Sequence, residues 1–214
     1  MINYGTAFNF FFKDKDWFRK FAISTLLTFS IIGLGPVLGW TLELVRRVRN
    51  GDEAELPDWA DWRGYWKQGL KYWTVNLLWL LPVVLSVVVI YLPLLLVKSI
   101  SDEMVLIVFF SVLCIVTLFL LIYSTLIIFF QPAMLGILTA TGSVRAAASF
   151  RNVWKTVRRH PVPHLIVFCI VGLGLLTVVF IVAPLTLFLG LPPMLVYTGI
   201  VTAHYAGQFA RMNE

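Results

Sequence analysis

The sequence predicts an all-α integral membrane protein, and two observations support the prediction. Of the 214 residues, 59% are hydrophobic and only 13% are charged, whereas a soluble domain usually carries about 25% charged residues. Several apolar runs also reach the roughly 18 residues that a transmembrane helix needs. We expect one membrane domain, residues 1–214, with two transmembrane helical hairpins, a first apolar segment broken by glycine and proline, and interfacial amphipathic helices.

The charged residues favour a membrane surface over nucleic acid as the partner. Lys and Arg outnumber Asp and Glu by 17 to 11, and in a membrane protein such an excess usually marks cytoplasmic loops and anionic headgroups. No independent basic module accompanies it, so we expect no nucleic-acid partner. Cys114 and Cys169 lie in apolar runs, where we expect small buried side chains rather than zinc ligands or a disulfide. We expect no metal and no cofactor.

Residues 1–20 are predicted to be an interfacial segment. Seven aromatic residues fall within this stretch, and aromatic rings favour the headgroup level of a bilayer. Asp14 or Asp16 is expected to cap the helix that follows, because a side-chain oxygen can accept from the free N–H groups there.

Residues 21–45 form the first apolar segment, which is interrupted by Gly33-Leu34-Gly35-Pro36. Proline removes an N–H donor and clashes with the preceding turn, and glycine adds flexibility. Two structures are therefore open: a kinked span, or a re-entrant pair of half-helices. Basic residues both precede and follow the segment, so both ends are expected to be cytoplasmic, which favours the re-entrant pair.

Residues 58–73 are predicted to form an amphipathic surface helix, with Asp58 as its cap. Four tryptophans recur at helical spacing and are expected to anchor the helix in the interface, with lysines among the headgroups. These interface anchors are Trp59, Trp62, Trp66 and Trp73.

The two hairpins are predicted at residues 74–130 and 164–210. Between them, residues 143–160 form a basic amphipathic helix, with Ser143 as a suitable N-cap and Pro161 as a stop. Its apolar stripe of Phe150, Val153, Trp154 and Val157 makes Trp154 a further interface anchor. This helix is open to two interpretations: a positive-inside loop that fixes topology, or a site for anionic lipid.

Ten basic side chains are expected to contact lipid headgroups. All of them lie in residues 46–73 and 143–160, and we expect these two regions and the C-terminus to be cytoplasmic, because Lys and Arg are scarce in the intervening turns. The ten are Arg46, Arg47, Arg49, Lys67, Lys71, Arg145, Arg151, Lys155, Arg158 and Arg159.

Several short motifs resemble those of a known family. They are GP-x-x-GW-x-x-E at 35–43, R-x-x-R-N-G from Arg46, LP-x-W at 56–59, H-x-x-G-Q at 204–208 and KDKDW at 13–17. Together they resemble a family of bacterial and archaeal polytopic membrane proteins that is known only as a conserved domain of unknown function. The resemblance covers nearly the whole chain and implies the inner (plasma) membrane of a prokaryote as the location. It implies no activity, so no functional residue follows from it.

No catalytic motif is found, and we do not expect an enzyme. P-loop, GxGxxG, HExxH and GxSxG patterns are all missing from the sequence. Glu43 is expected to pair with Arg46 and Arg47 one turn away. His160 and His164 are expected to contact headgroups or backbone, and His204 to donate to or accept from a neighbouring helix. The polar candidates for an intramembrane path are Glu43, Asn76, Gln131 and His204.

These observations favour a non-enzymatic function. We expect a structural or accessory subunit, or a membrane-organising protein, that acts at the cytoplasmic leaflet. Its partners would be membrane lipids, preferably anionic, and a protein partner or a second copy of the chain. The alternative is a passive permease or a lipid-translocating protein. A coupled pump is disfavoured because the spans otherwise lack acidic residues.

Overall fold

The computed structural model describes residues 2–52, 55–96 and 102–212, and these are helical with short connections. The helices are α1 (Thr6–Asn9), α2 (Trp17–Thr28), α3 (Ile31–Arg49), α4 (Trp62–Leu96), α5 (Asp102–Thr141), α6 (Val144–Ala148), α7 (Phe150–Arg159), α8 (Pro161–Thr177), α9 (Ala183–Leu185) and α10 (Leu191–Met212). A 3-10 turn occupies Phe10–Lys13, and a π-helical turn, Val178–Val182, joins α8 to α9. The predicted all-α class is confirmed for these residues.

The chain divides into two compact units. One unit comprises the chain up to Val75 and from Phe129 onward, and the other is Asn76–Ile128.

Two stretches in the described part of the chain are long and apolar enough to cross a membrane: Leu106–Thr141 and Pro161–Leu185. Only 6% and 17% of their most apolar windows are buried. The core helix of a soluble protein would be mostly buried, so these two helices instead present apolar side chains outward.

The first apolar segment is broken, but at a different place from the one predicted. α2 ends at Thr28 and α3 begins at Ile31, while Pro36 lies inside α3. Ser30 has an extended backbone, and its hydroxyl accepts a hydrogen bond from the N–H of Gly33 at 2.9 Å. This N-cap starts a new helix before the glycines and the proline are reached.

The two halves of this segment fold back on each other. Lys20 in α2 donates to the carbonyl of Leu56 at 2.8 Å, and Trp40 in α3 donates to the carbonyl of the adjacent Pro57 at 2.7 Å. Lys20 and Trp40 are equally distant from Ser30 in sequence, so α2 and α3 run in opposite directions from a turn at Ser30. This is the arrangement expected of a pair of half-helices rather than of one kinked helix.

α4 begins later than predicted and continues further. Asp61, not Asp58, is its cap: Asp61 Oδ1 accepts from the N–H of Gly64 at 2.9 Å. From Trp62 the helix runs without a break to Leu96. The helix predicted at 58–73 and the second apolar segment are therefore one continuous helix, because nothing in the sequence between them disrupts the backbone hydrogen bonds.

The contact between α3 and α4 is a backbone contact made possible by glycines. A Cβ atom at Gly39 would collide with the carbonyl oxygen of Tyr65, and a Cβ at Gly69 would collide with the carbonyl of Gly35. On α3, Gly35 and Gly39 are one turn apart, so they face α4 together. A third glycine, Gly207 of α10, lies in the same way against Val48.

A buried ion pair joins the residues before α2 to α2 itself. Asp14 and Lys20 are both buried, and their charged atoms are 2.7 Å apart. The same carboxylate oxygen of Asp14 accepts the N–H of Leu56 at 2.7 Å. Burial raises the pKa of the Asp14 carboxyl, but the hydrogen bonds from Lys20, Asp16 and Leu56 outweigh it and lower the pKa overall. The predicted cap role is wrong: Asp14 ties the 55–58 connection to α2, and Asp16 makes no side-chain cap bond.

Tryptophans extend this junction. Trp59 stacks parallel to Trp40, with ring centroids 5.8 Å apart, and its Nε1 donates to the carbonyl of Lys20 at 3.2 Å. The hydroxyl of Tyr65 donates to the carbonyl of Asp58 at 2.5 Å. The residues of the LP-x-W motif thus join α2, α3 and α4 at one place.

We expect Gly39→Ala to destabilise the protein by about 1–3 kcal/mol, because the added methyl meets a backbone carbonyl that cannot move freely. The midpoint of thermal unfolding in mild detergent should fall by roughly 3–10 °C. Gly172→Ala is the matched control, since nothing lies within 4 Å of a Cβ there. Equal midpoints for the two variants would contradict the backbone contact.

Asp14→Asn should cost about 3 kcal/mol at neutral pH, because it leaves the buried Lys20 without its nearest counter-charge. Since the folded-state pKa of Asp14 is lowered, this contribution is present above the unfolded pKa of about 4 and is lost as the pH falls through the folded value. Chemical unfolding of both proteins at several pH values measures the difference, which should shrink below about pH 4. Asp16→Asn is the control, and a pH-independent difference would contradict the pairing.

Candidate functional site

Three of the ten predicted headgroup-binding residues come together around one pocket. Arg46 of α3 and Lys67 and Lys71 of α4 line a cavity of about 270 Å³, which we call the basic pocket. Its remaining wall is formed by Leu42, Gln68, Leu138, Thr139 and Gly142. The sequence suggested the residue types, but only the glycine contact between α3 and α4 brings Arg46 next to the two lysines.

The charges around the basic pocket are only partly compensated. Glu43, which is buried, lies 2.7 Å from the Arg46 guanidinium and 3.6 Å from that of Arg47, so the predicted ion pair is confirmed. Lys71 Nζ donates to the carbonyl of Gly142 at 3.2 Å. Lys67 is exposed and makes no hydrogen bond or ion pair with the residues that the structure describes. One carboxylate therefore faces several cations, and the pocket is suited to an anion.

A second, apolar cavity lies in the same unit. It has a volume of about 310 Å³ and is lined by residues of α2, α3, α4, α5, α8 and α10. Half of the residues in its walls are Leu or Val. Four are threonines, whose hydroxyls donate to carbonyls of their own helices: Thr28, Thr41, Thr198 and Thr202. The chief polar feature is a pair on two neighbouring helices, in which Gln131 Nε2 donates to the hydroxyl of Tyr72 at 2.9 Å. We call this volume the apolar cavity.

The basic residues of α7 form an exposed edge. Arg151, Lys155 and Arg159 occupy successive i+4 positions and are all exposed. The apolar stripe on the same helix divides into two parts. Val153 and Val157 are buried, whereas Phe150 and Trp154 are more than a third exposed and stack with ring centroids 6.2 Å apart.

The region predicted as one helix from 143 to 160 is two helices. Ser149 has an extended backbone and separates α6 from α7. The predicted cap is confirmed, since the Ser143 hydroxyl accepts from the N–H of Ala146 at 3.3 Å. Arg145 is exposed on α6, away from the edge of α7 in sequence, and Arg158 places its guanidinium 5.8 Å from the Trp154 ring. Pro161 is the first residue of α8.

The tryptophans predicted as anchors do not form the buried face of α4. That face consists of Tyr65, Gly69, Tyr72 and Val75. Trp62 is 39% exposed, and Trp66 and Trp73 are half-buried. Trp59 precedes the helix and belongs to the junction with Trp40, so it does not share a helical face with the others.

The four polar candidates for an intramembrane path have different surroundings in the structure. Of Glu43, Asn76, Gln131 and His204, only Gln131 lines the apolar cavity. Glu43 is paired with arginines, and Asn76 belongs to the other compact unit. His204 is fully buried and lies 2.9 Å from Gln208 of its own helix. Its ring is tilted against that of Phe10, with the ring centroids 4.5 Å apart.

The N-terminal segment is not wholly interfacial, because Gln208 holds its start against α10 by two hydrogen bonds. Gln208 accepts from the N–H of Asn3 at 2.8 Å and donates to the carbonyl of Asn3 at 3.3 Å. Phe10 and Phe11 are consequently buried in the protein, while Phe12 and Phe18 are exposed. The H-x-x-G-Q motif thus holds the N-terminal segment on α10.

Two further expectations need correction. His164 does not reach a headgroup: it is 1% exposed, 4.3 Å from the ring of Phe209, and neither ring nitrogen has a hydrogen-bond partner among the described residues. Cys114 and Cys169 are exposed rather than buried, because α5 and α8 turn their apolar side chains outward. Neither outcome could be read from hydropathy, which does not tell which face of an apolar helix meets protein.

Comparison with known proteins gives a family but no activity. Residues 22–191 match a family described as "Protein of unknown function (DUF4013)". No curated protein and no solved structure matches the chain. The matched residues include α3, α4, α5 and α7, and so both walls of the basic pocket. Since the match covers well over half of the sequence, the chain belongs to the DUF4013 family of proteins of unknown function.

Proposed function

We propose that this protein is a non-enzymatic integral membrane protein that binds anionic lipid at the cytoplasmic leaflet of a prokaryotic inner membrane and organises membrane or a partner complex there. The basic pocket carries the proposal. It gathers three cations from two helices around one volume of about 270 Å³. Such a site can hold an anion.

The membrane location is supported by the exposed apolar surface. Leu106–Thr141 and Pro161–Leu185 expose large side chains along most of their length, among them Leu118, Leu173 and Phe180. In water each would cost about 25 cal/mol per Å² of apolar area, and monomeric soluble proteins rarely expose patches of this extent. Lipid tails, with a partner protein or a second copy over part of the surface, would cover them.

The orientation is supported by the positions of the chain ends. Asn3 is bonded to Gln208, and the Arg211 guanidinium lies next to Gly51, just after α3. Asn3, the end of α3 and the end of α10 therefore lie close together. The end of α3 carries Arg46, Arg47 and Arg49, so the positive-inside rule favours the cytoplasm for this part of the unit.

The length of α4 supports a helix that crosses the membrane and begins among the headgroups. Its 35 residues rise about 52 Å at 1.5 Å per residue, whereas the hydrocarbon core is about 30 Å thick. We infer that the apolar part crosses the membrane and that the first turns, with Lys67 and Lys71, extend into the headgroups. This replaces the in-plane helix expected from the sequence.

Labelling with an impermeant maleimide tests the orientation. In a background without Cys114 and Cys169, Lys15→Cys and Asn50→Cys should react from the same, cytoplasmic, side, because α2 and α3 fold back on each other. Leu189→Cys, in the uncharged connection between α9 and α10, should react from the other side. Reaction of Lys15→Cys and Asn50→Cys from opposite sides would contradict the fold-back in the membrane.

The basic edge of α7 gives the test of lipid binding. Each basic side chain near an anionic surface contributes about 1 kcal/mol at most, before screening over a Debye length of about 8 Å. Replacing Arg151, Lys155 and Arg159 by Gln should therefore weaken the preference for anionic over neutral lipid by up to about 3 kcal/mol. Native mass spectrometry of the detergent-solubilised protein measures the retained lipids.

The control for this variant keeps the charge. Arg151→Lys with Arg159→Lys should retain anionic lipid as the original protein does. Unchanged retention by the triple Gln variant would mean that α7 is a topology signal only. Solute or lipid flux in liposomes, in place of retention, would instead support the passive permease or lipid-translocating alternative.

A further inference from the structure

We propose that the basic pocket and the apolar cavity are the two parts of one site, which binds a single lipid that has an anionic headgroup. The headgroup would occupy the basic pocket and an acyl chain the apolar cavity. This inference rests on the proposed function and adds the place, the orientation and the number of the bound lipid.

The apolar cavity and the basic pocket are lined by successive turns of the same three helices, α3, α4 and α5. On α3, Leu38 lines the apolar cavity, and Leu42 and Arg46 line the basic pocket at successive i+4 positions. Residues four apart lie on the same face of a helix, about one 5.4 Å turn from each other. The face of α3 that borders the cavity therefore continues directly into the pocket.

The other two helices repeat this progression. On α4, Tyr72 lines the cavity and Gln68, four residues earlier, lines the pocket. On α5, Leu135 lines the cavity, and Thr139 lines the pocket. Because α3, α4 and α5 all pass from cavity to pocket within about one turn, the two volumes are neighbours along a shared wall.

The lining of the proposed site changes from cationic to apolar along these helices, as a lipid changes from its headgroup to its acyl chains. At one end Arg46, Lys67 and Lys71 present cations, which a phosphate or carboxylate headgroup would neutralise. At the other end Leu and Val side chains make up half of the walls, and the hydroxyls of the four threonines there donate to carbonyls of their own helices, which leaves a largely apolar surface suited to an acyl chain. The hydrogen-bonded pair of Tyr72 and Gln131 borders the cavity next to Lys71 in sequence, where the ester groups of a lipid would lie.

The sizes favour one ligand rather than two. The volumes are about 270 and 310 Å³. The first lies just below the range of roughly 300–1,000 Å³ found for small-molecule pockets, and the second lies at its lower end. Neither alone would hold a whole lipid. A soluble anion would fill the pocket and leave the cavity without an occupant, whereas an anionic lipid accounts for both.

Variants of each part test the proposal. Lys67→Gln with Lys71→Gln removes two cations of the pocket, and Lys13→Gln with Lys15→Gln is the charge-matched control on exposed residues of the N-terminal segment. Gly199→Leu fills the cavity from a position where a Cβ would have no neighbour within 4 Å. Gly172→Leu is its control, since Gly172 is equally open but lies outside the cavity. Thr198→Leu, also in the cavity wall, replaces Gly199→Leu should that variant not fold.

The probes are phosphatidylglycerol, phosphatidylcholine and glycerol phosphate, with binding followed by native mass spectrometry. The original protein should retain one phosphatidylglycerol in preference to phosphatidylcholine. The double Lys→Gln variant should lose about tenfold or more of that preference. Gly199→Leu should reduce retention of phosphatidylglycerol to a similar degree, and both controls should behave as the original protein.

The other possible outcomes separate a failure of the two-part site from a failure of the proposed function. Loss with the double Lys→Gln variant but not with either cavity variant would overturn the two-part site and leave lipid binding at the pocket. Competition by glycerol phosphate at the concentration of lipid would show that the ligand is a soluble phosphate. Loss only with the α7 variant would overturn this site while the proposed function stands. If the original protein shows no preference for anionic lipid, the proposed function itself fails.

Discussion

The close approach of α3 and α4 determines most of what this fold can do. Without a Cβ at Gly39 and Gly69, the two backbones touch, and no larger residue would allow that distance. Arg46 is consequently within reach of Lys67 and Lys71, and the same crossing places Trp40 and Tyr72 in the wall of one cavity. A single steric condition thus builds both the charged and the apolar part of the proposed site.

The motifs that carry the family resemblance have structural roles. Gly35 and Gly39 make the helix contact, Glu43 neutralises Arg46 and Arg47, and Gln208 holds the N-terminal segment. The KDKDW and LP-x-W stretches meet where Asp14 accepts from Lys20 and Leu56. These residues therefore explain how the chain folds, while the lysines of the basic pocket lie outside the quoted motifs. Arg46 belongs to both, since it lies in the R-x-x-R-N-G motif and also lines the basic pocket.

Local features were predictable from the sequence, and long-range ones were not. The all-α class, the Ser143 cap and the Glu43 ion pair depend on neighbouring residues, so hydropathy and spacing suffice to predict them. The chain breaks at Ser30 because the N-cap there starts α3 before Gly33–Pro36 is reached. α4 starts at Trp62 because Asp61 caps it. The burial of His164 and the exposure of Cys114 depend on which helices become neighbours. The basic pocket belongs to this second kind, because Arg46 comes from α3 and the two lysines come from α4.

The most direct test of the central claim is a crystal structure grown from a lipid phase that contains phosphatidylglycerol with brominated acyl chains. Anomalous scattering would locate the bromine atoms, and the phosphate would be placed from the electron density. We expect a phosphate in contact with Lys67 and Arg46, and bromine atoms between α3, α5 and α10 beside Gly199. Bromine atoms only around the outer faces of α5 and α8, with no phosphate beside Lys67, would contradict the claim that the protein holds a specific anionic lipid.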